Sequence, residues 1–165
     1  MIPARRELLV AELSDRAELA VLLDAHVPVN WPDGIYDEGV LRFFLDRLLD
    51  APDALGWWSW YAIHLGDDDR TLVAGIGFKG PPRDGSVEIG YGVVEEFRRR
   101  GLAREAGQTL IGWALSDLRV DSIVAQAHVD NGPSQRVLAA LGFEPSTPRP
   151  SPDGMLRFER KRESA

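Results

Sequence analysis

A run of three arginines stands between a strand-like and a helix-like segment, and this junction most constrains how the chain can fold. The apolar pattern over residues 87–94 is typical of a strand, and apolar residues over 102–118 recur at helical spacing. The turn between them is Arg98-Arg99-Arg100-Gly101-Leu102-Ala103. The first N–H groups of a helix lack intrahelical partners, so this turn predicts an anion-binding cradle that Gly101 leaves open to close approach. A solvated basic run is the plain alternative.

The rest of the chain is acidic. Its 165 residues carry a formal net charge of −7, so the arginines form a local positive spot that suits a small polyanion, and we expect no nucleic-acid partner. Cysteine is absent, which excludes disulfides, thiolate nucleophiles and cysteine zinc sites. No long apolar segment could span a bilayer, and the first residues lack a secretory core. We therefore expect a cytoplasmic protein without a membrane partner.

The order of predicted elements indicates an α/β (α+β) fold in a single domain over residues 1–165. Short connections between the middle strands imply antiparallel neighbours, whereas the passage from strand through helix to strand around the arginine turn implies a parallel crossover. Tryptophans concentrated in one strand are typical of core packing under helices. The predicted strands are 7–11, 57–65, 71–79, 86–94, 122–129, one near Phe143 and 155–160, and the predicted helices are 14–26, 36–49, 102–118 and 134–141.

Two motifs together resemble the GNAT superfamily of N-acyltransferases. Glu88-Ile89-Gly90-Tyr91-Gly92-Val93 precedes Arg98-x-x-Gly101-x-Ala103, which matches the superfamily's acyl-CoA pattern (Q/R)-x-x-G-x-(G/A). Asn131-x-x-Ser134 leads to Leu141-Gly142-Phe143 and is similar to the superfamily's second motif, in the same order and at a suitable distance. The likeness is greatest to the branch that includes ribosomal-protein N-terminal acetyltransferases. It implies a central mixed, mostly antiparallel sheet with helices on both faces and one splayed pair of parallel strands.

The resemblance also implies where acetyl-CoA would bind. The pantetheine arm would pair with the strand edge at Val93 and Val94, where the parallel strands splay apart. The main-chain N–H groups of Arg99, Arg100, Gly101, Leu102, Ala103 and Arg104 would hold the pyrophosphate, with Arg98 and its neighbours supplying charge. Many members have glycine at the position of Arg99, a difference that bears on how the 3′-phosphate is held. No His, Asp and Glu cluster has convincing metal spacing, and Asp67-Asp68-Asp69 is interpreted as a solvated hairpin tip.

Transfer of an acetyl group to an amine requires a neutral amine, a polarised carbonyl and a proton for the departing thiolate. Since no cysteine can form an acyl-enzyme, we expect direct attack in a ternary complex. Glu88 is the expected base, with an exposed structural glutamate as the alternative. By likeness, Asn131 would contact pantetheine and Ser134 would protonate the thiolate, although both residues also suit helix capping. His128 is expected as a proton carrier or, equally, as a structural histidine.

The sequence says least about which amine accepts the acetyl group. Trp31 and Asp33 lie in the loop where family members line the acceptor side of the cleft, and together they suit a cationic amine beside an apolar group. A proline turn anchored by tryptophan is the plain alternative. A protein or peptide N-terminus, an amino acid and a small amine all remain open as acceptors, in a monomer or homodimer. The hypothesis from a different class is a catalytically silent acyl-CoA-binding sensor or scaffold.

Overall fold

The computed structural model describes residues 1–32, 34–66 and 69–163. Asp33 and the predicted hairpin tip at Asp67 and Asp68 therefore lie outside the described residues. Short 3₁₀ helices cover Pro52–Ala54 and Glu95–Phe97. The longer elements, in chain order, are β1 (Ile2–Pro3), α1 (Arg6–Ser14), α2 (Arg16–Leu23), α3 (Glu38–Asp50), β2 (Ser59–Leu65), β3 (Arg70–Phe78), β4 (Ser86–Val93), α4 (Leu102–Ser116), β5 (Ser122–His128), α5 (Gly132–Ala140), β6 (Glu144–Pro145) and β7 (Met155–Lys161).

The strands form a mixed sheet in the order β1-β2-β3-β4-β5-β7-β6. Strands β4 and β5 run parallel, whereas β1–β2, β2–β3, β5–β7 and β6–β7 are antiparallel pairs. The predicted α/β class with a mixed sheet and a parallel pair is thus confirmed. The chain contains two compact units, residues 1–77 with 91–102 and residues 78–90 with 103–165. The single domain over 1–165 stays a prediction.

In the first unit, the predicted strand over residues 7–11 is wrong, because these residues belong to helix α1. Leu8 and Leu9 are fully buried while the next residue, Val10, is 43% exposed. An apolar run of this length cannot separate strand from helix by periodicity, and its Glu, Leu and Ala residues favour a helix. The strand at this end is the shorter β1, which pairs with Tyr61 and Trp60 of β2.

The core of the first unit joins α1, α2 and α3 to strands β2 and β3. Trp58 is 7% exposed and Tyr61 is fully buried, so the predicted core packing of the tryptophan-rich strand is confirmed. Asp15 and Asp37 cap α2 and α3 by accepting hydrogen bonds from backbone N–H groups in the first turns. The apolar residues that share this core are Leu8, Leu9, Leu19, Leu23, Leu41, Leu48, Trp31, Trp58, Tyr61, Leu72 and Val94.

In the second unit, the parallel crossover predicted from the sequence is confirmed. The start of β4 pairs with β5 from Ser86↔Ser122 to Ile89↔Ala125, and α4 connects the two strands along the chain. Helix α4 buries Leu110, Ile111 and Ala114. The absence of a side chain at Gly107 allows close packing, because a Cβ there would lie 2.7 Å from Cδ1 of Leu141.

Arg160 and Arg162 bind carbonyls at the C-terminal ends of two helices in the second unit. Nη1 of Arg162 donates to the Leu115 carbonyl at 2.6 Å, and Nη2 donates to the Asp117 carbonyl at 2.8 Å. Nη1 of Arg160 donates to the Leu141 carbonyl at 2.6 Å. Cations at these positions satisfy orphan carbonyls and suit the negative end of each helix dipole. Among the helices of the described residues, none is long and apolar enough to cross a bilayer.

Candidate active site

The arginine turn adopts a conformation with two left-handed residues. The Arg98 N–H donates to the Glu95 carbonyl at 3.1 Å, which closes the preceding 3₁₀ turn. Arg99 follows with φ of 61°, and Gly101 has φ of 81°. Left-handed residues occur in the backbone concavities whose N–H groups bind anions. Since α4 begins at Leu102, Ala103 and Arg104 lie in its first turn, where N–H groups lack intrahelical partners.

The residues of this turn fit a phosphate-bearing ligand. A Cβ placed on Gly101 would meet no described atom within 4 Å, so it would occupy open space in front of the turn. The three arginines are exposed. The Arg100 guanidinium stacks over the Phe97 ring at 5.1 Å, and Nε of Arg98 donates to the Val93 carbonyl at 2.9 Å. The turn therefore combines backbone donors, positive charge and a surface that no side chain covers at Gly101.

The backbone N–H and C=O groups of successive strand residues point to opposite edges of the strand, and Val93 and Val94 follow this rule. The Val94 N–H donates to the Val73 carbonyl of β3 at 2.9 Å, and the Val94 carbonyl accepts from the Phe97 N–H at 2.9 Å. The Val94 side chain is fully buried. The Val93 carbonyl faces the other way, where Arg98 reaches it. Of the two predicted pantetheine contacts, Val93 is thus the one whose backbone points away from β3.

Glu88 lies in the paired part of β4. Its neighbours Val87 and Ile89 are each 3% exposed and face the core, which places Glu88 on the opposite face, where its side chain is 20% exposed. Oε1 of Glu88 forms an ion pair with Nζ of Lys79 and accepts a hydrogen bond from Nε2 of Gln126 at 3.2 Å. Its role as a base stays a prediction.

Asn131 and Ser134 lie together at the start of α5. Oδ1 of Asn131 accepts a hydrogen bond from the Ser134 N–H at 3.1 Å, so Asn131 is the N-cap of the helix. The structure therefore shows the asparagine oxygen in the alternative role, helix capping. Ser134 is half-buried in the first turn. The contacts of both residues with a thioester stay predictions.

His128 ends β5 and belongs to the same turn as Asn131. The His128 carbonyl accepts from the Asn131 N–H at 2.9 Å, and Nδ1 of the ring accepts from the Asp130 N–H at 3.2 Å. A Cβ on Gly154 would lie 2.5 Å from Nε2, so the ring packs against that glycine. These contacts match a structural histidine, and the proton-carrier role stays a prediction. The second unit thus brings His128, Asn131 and Ser134 into one turn.

Trp31 is a core residue of the first unit. Its side chain is 4% exposed, and its indole ring meets Tyr36 edge-on at 5.9 Å. The loop around it is tied to α2, because Nη1 of Arg16 donates to the Pro28 carbonyl at 2.8 Å. A turn anchored by tryptophan, the alternative interpretation, describes this arrangement. The substrate-binding role of Trp31 and Asp33 stays a prediction, and Asp33 lies outside the described residues.

Glu12 of α1 is a partly buried carboxylate that the sequence interpretation missed. Nε1 of Trp31 donates to its Oε1 at 2.5 Å, the Tyr36 hydroxyl donates to the same oxygen at 3.2 Å, and the Tyr61 hydroxyl donates to Oε2. Burial raises the pKa of Glu12 above its ordinary value, and the three hydrogen bonds offset this effect only in part. Burial, reinforced by the Glu12 charge, holds the pKa of both tyrosines well above the usual range. A helical interpretation of this segment would have shown Glu12 one turn after the buried Leu8.

Within the described part of the chain, no group of three or more histidine, aspartate or glutamate side chains is arranged to hold a metal ion. The described candidate residues fall into two sets. The first unit contains Trp31, Val93, Val94 and the turn up to Leu102, and the second contains Glu88, Ala103, Arg104, His128, Asn131 and Ser134.

The chain is similar to known acetyltransferases in sequence and fold. A family model described as acetyltransferase (GNAT) domain matches residues 5–144. The uncharacterized N-acetyltransferase YjdG of Bacillus subtilis (strain 168) is 37% identical over 115 residues, which cover 69% of this chain and 67% of the relative.

Two solved structures extend the comparison. A ribosomal-protein-S5-alanine acetyltransferase from Vibrio fischeri aligns with a TM-score of 0.58 and 18% identity, covering 73% of this chain and 72% of that one. A Bacillus subtilis acetyltransferase in complex with CoA aligns with a TM-score of 0.54 and 16% identity, covering 74% of this chain and 84% of that one. At these identities the likeness concerns the fold alone.

Proposed function

Since this chain belongs to the GNAT acetyltransferase family, we propose that it transfers an acetyl group from acetyl-CoA to a primary amine by direct attack in a ternary complex. The resemblance seen in the two motifs is confirmed by the family match, so acyl transfer is the chemistry of the chain. One observation carries the proposal of CoA as the carrier. The arginine turn has left-handed Arg99 and Gly101, with φ of 61° and 81°, directly before the first turn of α4.

The proposed donor site begins at this turn. The backbone N–H groups from Arg99 to Arg104 would bind the pyrophosphate, while the exposed guanidinium groups would add positive charge around it. Val93 would pair with the pantetheine arm through its outward-facing backbone, after Arg98 releases the Val93 carbonyl. The CoA bound by the Bacillus subtilis neighbour, which shares the fold, supports an acyl-CoA as the donor.

The second motif would hold the arm near its sulfur. Oδ1 of Asn131 is used by the Ser134 N–H, which leaves the amide nitrogen of Asn131 to donate to a pantetheine carbonyl. Capping and ligand binding are therefore compatible in this side chain, because they use different atoms. The half-buried Ser134 hydroxyl would lie near the thiolate that leaves.

Acetyl-CoA supplies an acyl group activated as a thioester. Glu88 would accept the proton of the attacking amine, directly or through a water, as a C–N bond forms and the C–S bond breaks. The Ser134 hydroxyl or a water would return a proton to the thiolate. Because a free thiol has a pKa of about 8.5, this second transfer needs less assistance than the first. Holding amine and thioester together would supply much of the rate enhancement.

The proposal is tested by thiol release from acetyl-CoA across a panel of acceptors. The panel contains polyamines, amino acids and short peptides, including one that begins with alanine, since the Vibrio fischeri neighbour is a ribosomal-protein-S5-alanine acetyltransferase. We expect turnover with one acceptor class. Glu88→Gln should lower kcat on the order of 10²- to 10³-fold, and Ser134→Ala should lower it less.

CoA binding by calorimetry provides the control for these variants. Both substitutions should leave CoA affinity within about threefold of wild type, because neither removes a group from the pyrophosphate cradle. Tight CoA binding by the wild-type protein with no turnover on any acceptor would instead favour the sensor or scaffold.

A further inference from the structure

The Glu88 carboxylate is held by two side chains from outside its own strand. Lys79 follows β3 and forms an ion pair with Oε1 of Glu88. Gln126 on β5 donates to the same oxygen at 3.2 Å. Oε2 of Glu88 accepts no hydrogen bond from the rest of the described chain. One carboxylate oxygen is therefore anchored twice, and the other remains an acceptor for a further proton donor.

The Gln126 contact lies close to the end of the parallel ladder between β4 and β5. The Cα partner of Glu88 on β5 is Val124, and the hydrogen bond joins Glu88 to Gln126, two residues further along β5. Gln126 lies one residue past Ala125, which is the partner of Ile89 in the last pair of the parallel ladder. The hydrogen bond thus links the two strands near the end of their parallel pairing.

The contacts of Glu88 differ from an ordinary surface ion pair, because the carboxylate is mostly buried and two side chains bind the same oxygen. The Lys79 side chain is 66% exposed, whereas that of Glu88 is only 20% exposed. An exposed lysine alone would hold a glutamate weakly, because solvent screens the ion pair and both side chains are flexible. The Gln126 amide adds a second, directional contact to the same oxygen, and the two contacts together limit rotation of the carboxylate.

We infer that Lys79 and Gln126 are positioning residues that orient Glu88 so that Oε2 faces the attacking amine. This inference rests on the proposed function, in which Glu88 is the base. Lys79 holds Oε1 of Glu88 through the ion pair and so leaves Oε2 as the oxygen that can meet the amine. Gln126, which lies one residue past the last pair of the parallel ladder, holds the same oxygen by a hydrogen bond.

The test compares kcat and KM of Lys79→Met and Gln126→Leu with the acceptor found in the panel. Both side chains are exposed, so we expect both variants to fold. Each should lower kcat about five- to tenfold while KM for acetyl-CoA stays within about twofold, because neither residue belongs to the cradle. Lys79→Arg should retain most of the activity, since it keeps the charge. Lys161→Met, at the other lysine of the chain, is the matched control and should keep the wild-type kcat.

A double-mutant cycle separates positioning from a merely structural ion pair. In the Glu88→Gln background, Lys79→Met should cause no further loss of kcat, because its effect passes through the carboxylate. Unchanged kcat in both single variants, or an equal loss with and without Glu88, would overturn the inference while the proposed function stands. No turnover by the wild-type protein on any acceptor would overturn both.

Discussion

At the scale of single residues, the arginine turn contains two residues with left-handed backbone conformation, one a glycine and the other an arginine. Gly101 adopts φ of 81° at no steric cost, whereas Arg99 adopts φ of 61° with a side chain that disfavours it. A left-handed conformation costs a non-glycine residue about 1–2 kcal/mol. That conformation explains why glycine suits the position of Arg99, where this chain instead has an exposed guanidinium beside the proposed cradle.

Replacement of Gly101 by valine is the residue-scale prediction. A β-branched side chain at φ of 81° would strain the turn and place atoms in the open space before it. Calorimetry should show CoA affinity reduced about tenfold or more, with the protein still folded by circular dichroism.

Gly34→Val is the matched control for this variant. Gly34 also has positive φ, at 70°, and a Cβ there would meet no described atom within 4 Å. Its backbone strain should be similar, but CoA affinity should remain that of wild type. Equal CoA affinities in the two variants would contradict the assignment of the cradle to Gly101.

At the scale of elements, helix α4 links the two ends of the parallel crossover. Its first turn would form part of the proposed cradle, and Arg162, which follows β7, binds carbonyls at the other end of the helix. Nε of Arg162 also donates to the Val120 carbonyl at 3.0 Å, in the connection to β5. One side chain therefore stabilises both the end of the helix and the entry to the next strand.

Arg162→Met should lower the free energy of unfolding by about 2–3 kcal/mol, because several carbonyls lose a charged hydrogen-bond donor. Urea denaturation measures this change. Arg157→Met, on the exposed face of β7, is the control and should stay within about 0.5 kcal/mol of wild type. A loss for Arg162→Met no larger than for Arg157→Met would show that these carbonyls do not depend on the arginine.

At the scale of the whole molecule, the partly buried Glu12 links the stability of the fold to pH. Burial raises its pKa in the folded state, so the folded chain holds a proton at a pH where the unfolded chain has released it. The stability from this group is fully present below the ordinary carboxyl pKa of about 4.3. It is lost as pH rises from there through the raised, folded-state pKa.

Comparison of wild type with Glu12→Gln tests this linkage, because glutamine is neutral at every pH. The free energy of unfolding of the variant, minus that of wild type, should increase as pH rises from about 4.3. Urea denaturation between about pH 4 and 8 measures this difference. A difference that falls with rising pH would contradict the raised pKa.

Much of the fold was predictable, because most elements have local signatures. Alternation and helical spacing located β2 to β5 and α3 to α5 to within a few residues, as residues 102–118 for Leu102–Ser116 illustrate. The exception was 7–11, where the short apolar run carried no periodicity. The two motifs identified the candidate site residues. His128, Asn131 and Ser134 lie in one turn, and Glu88 and Val93 lie on one strand, because the members of each set are close in sequence.

The sequence by itself determined the arginine turn, the strand before it and the helix after it. Backbone conformation and helix N-termini depend on neighbouring residues, so contiguous sequence is sufficient. Only the tertiary structure decided which side chains meet Glu12 and Glu88. The partners of Glu12 lie 19, 24 and 49 residues away, and Gln126 lies 38 residues from Glu88. Contacts over such separations form through packing of the whole chain, which no local pattern encodes.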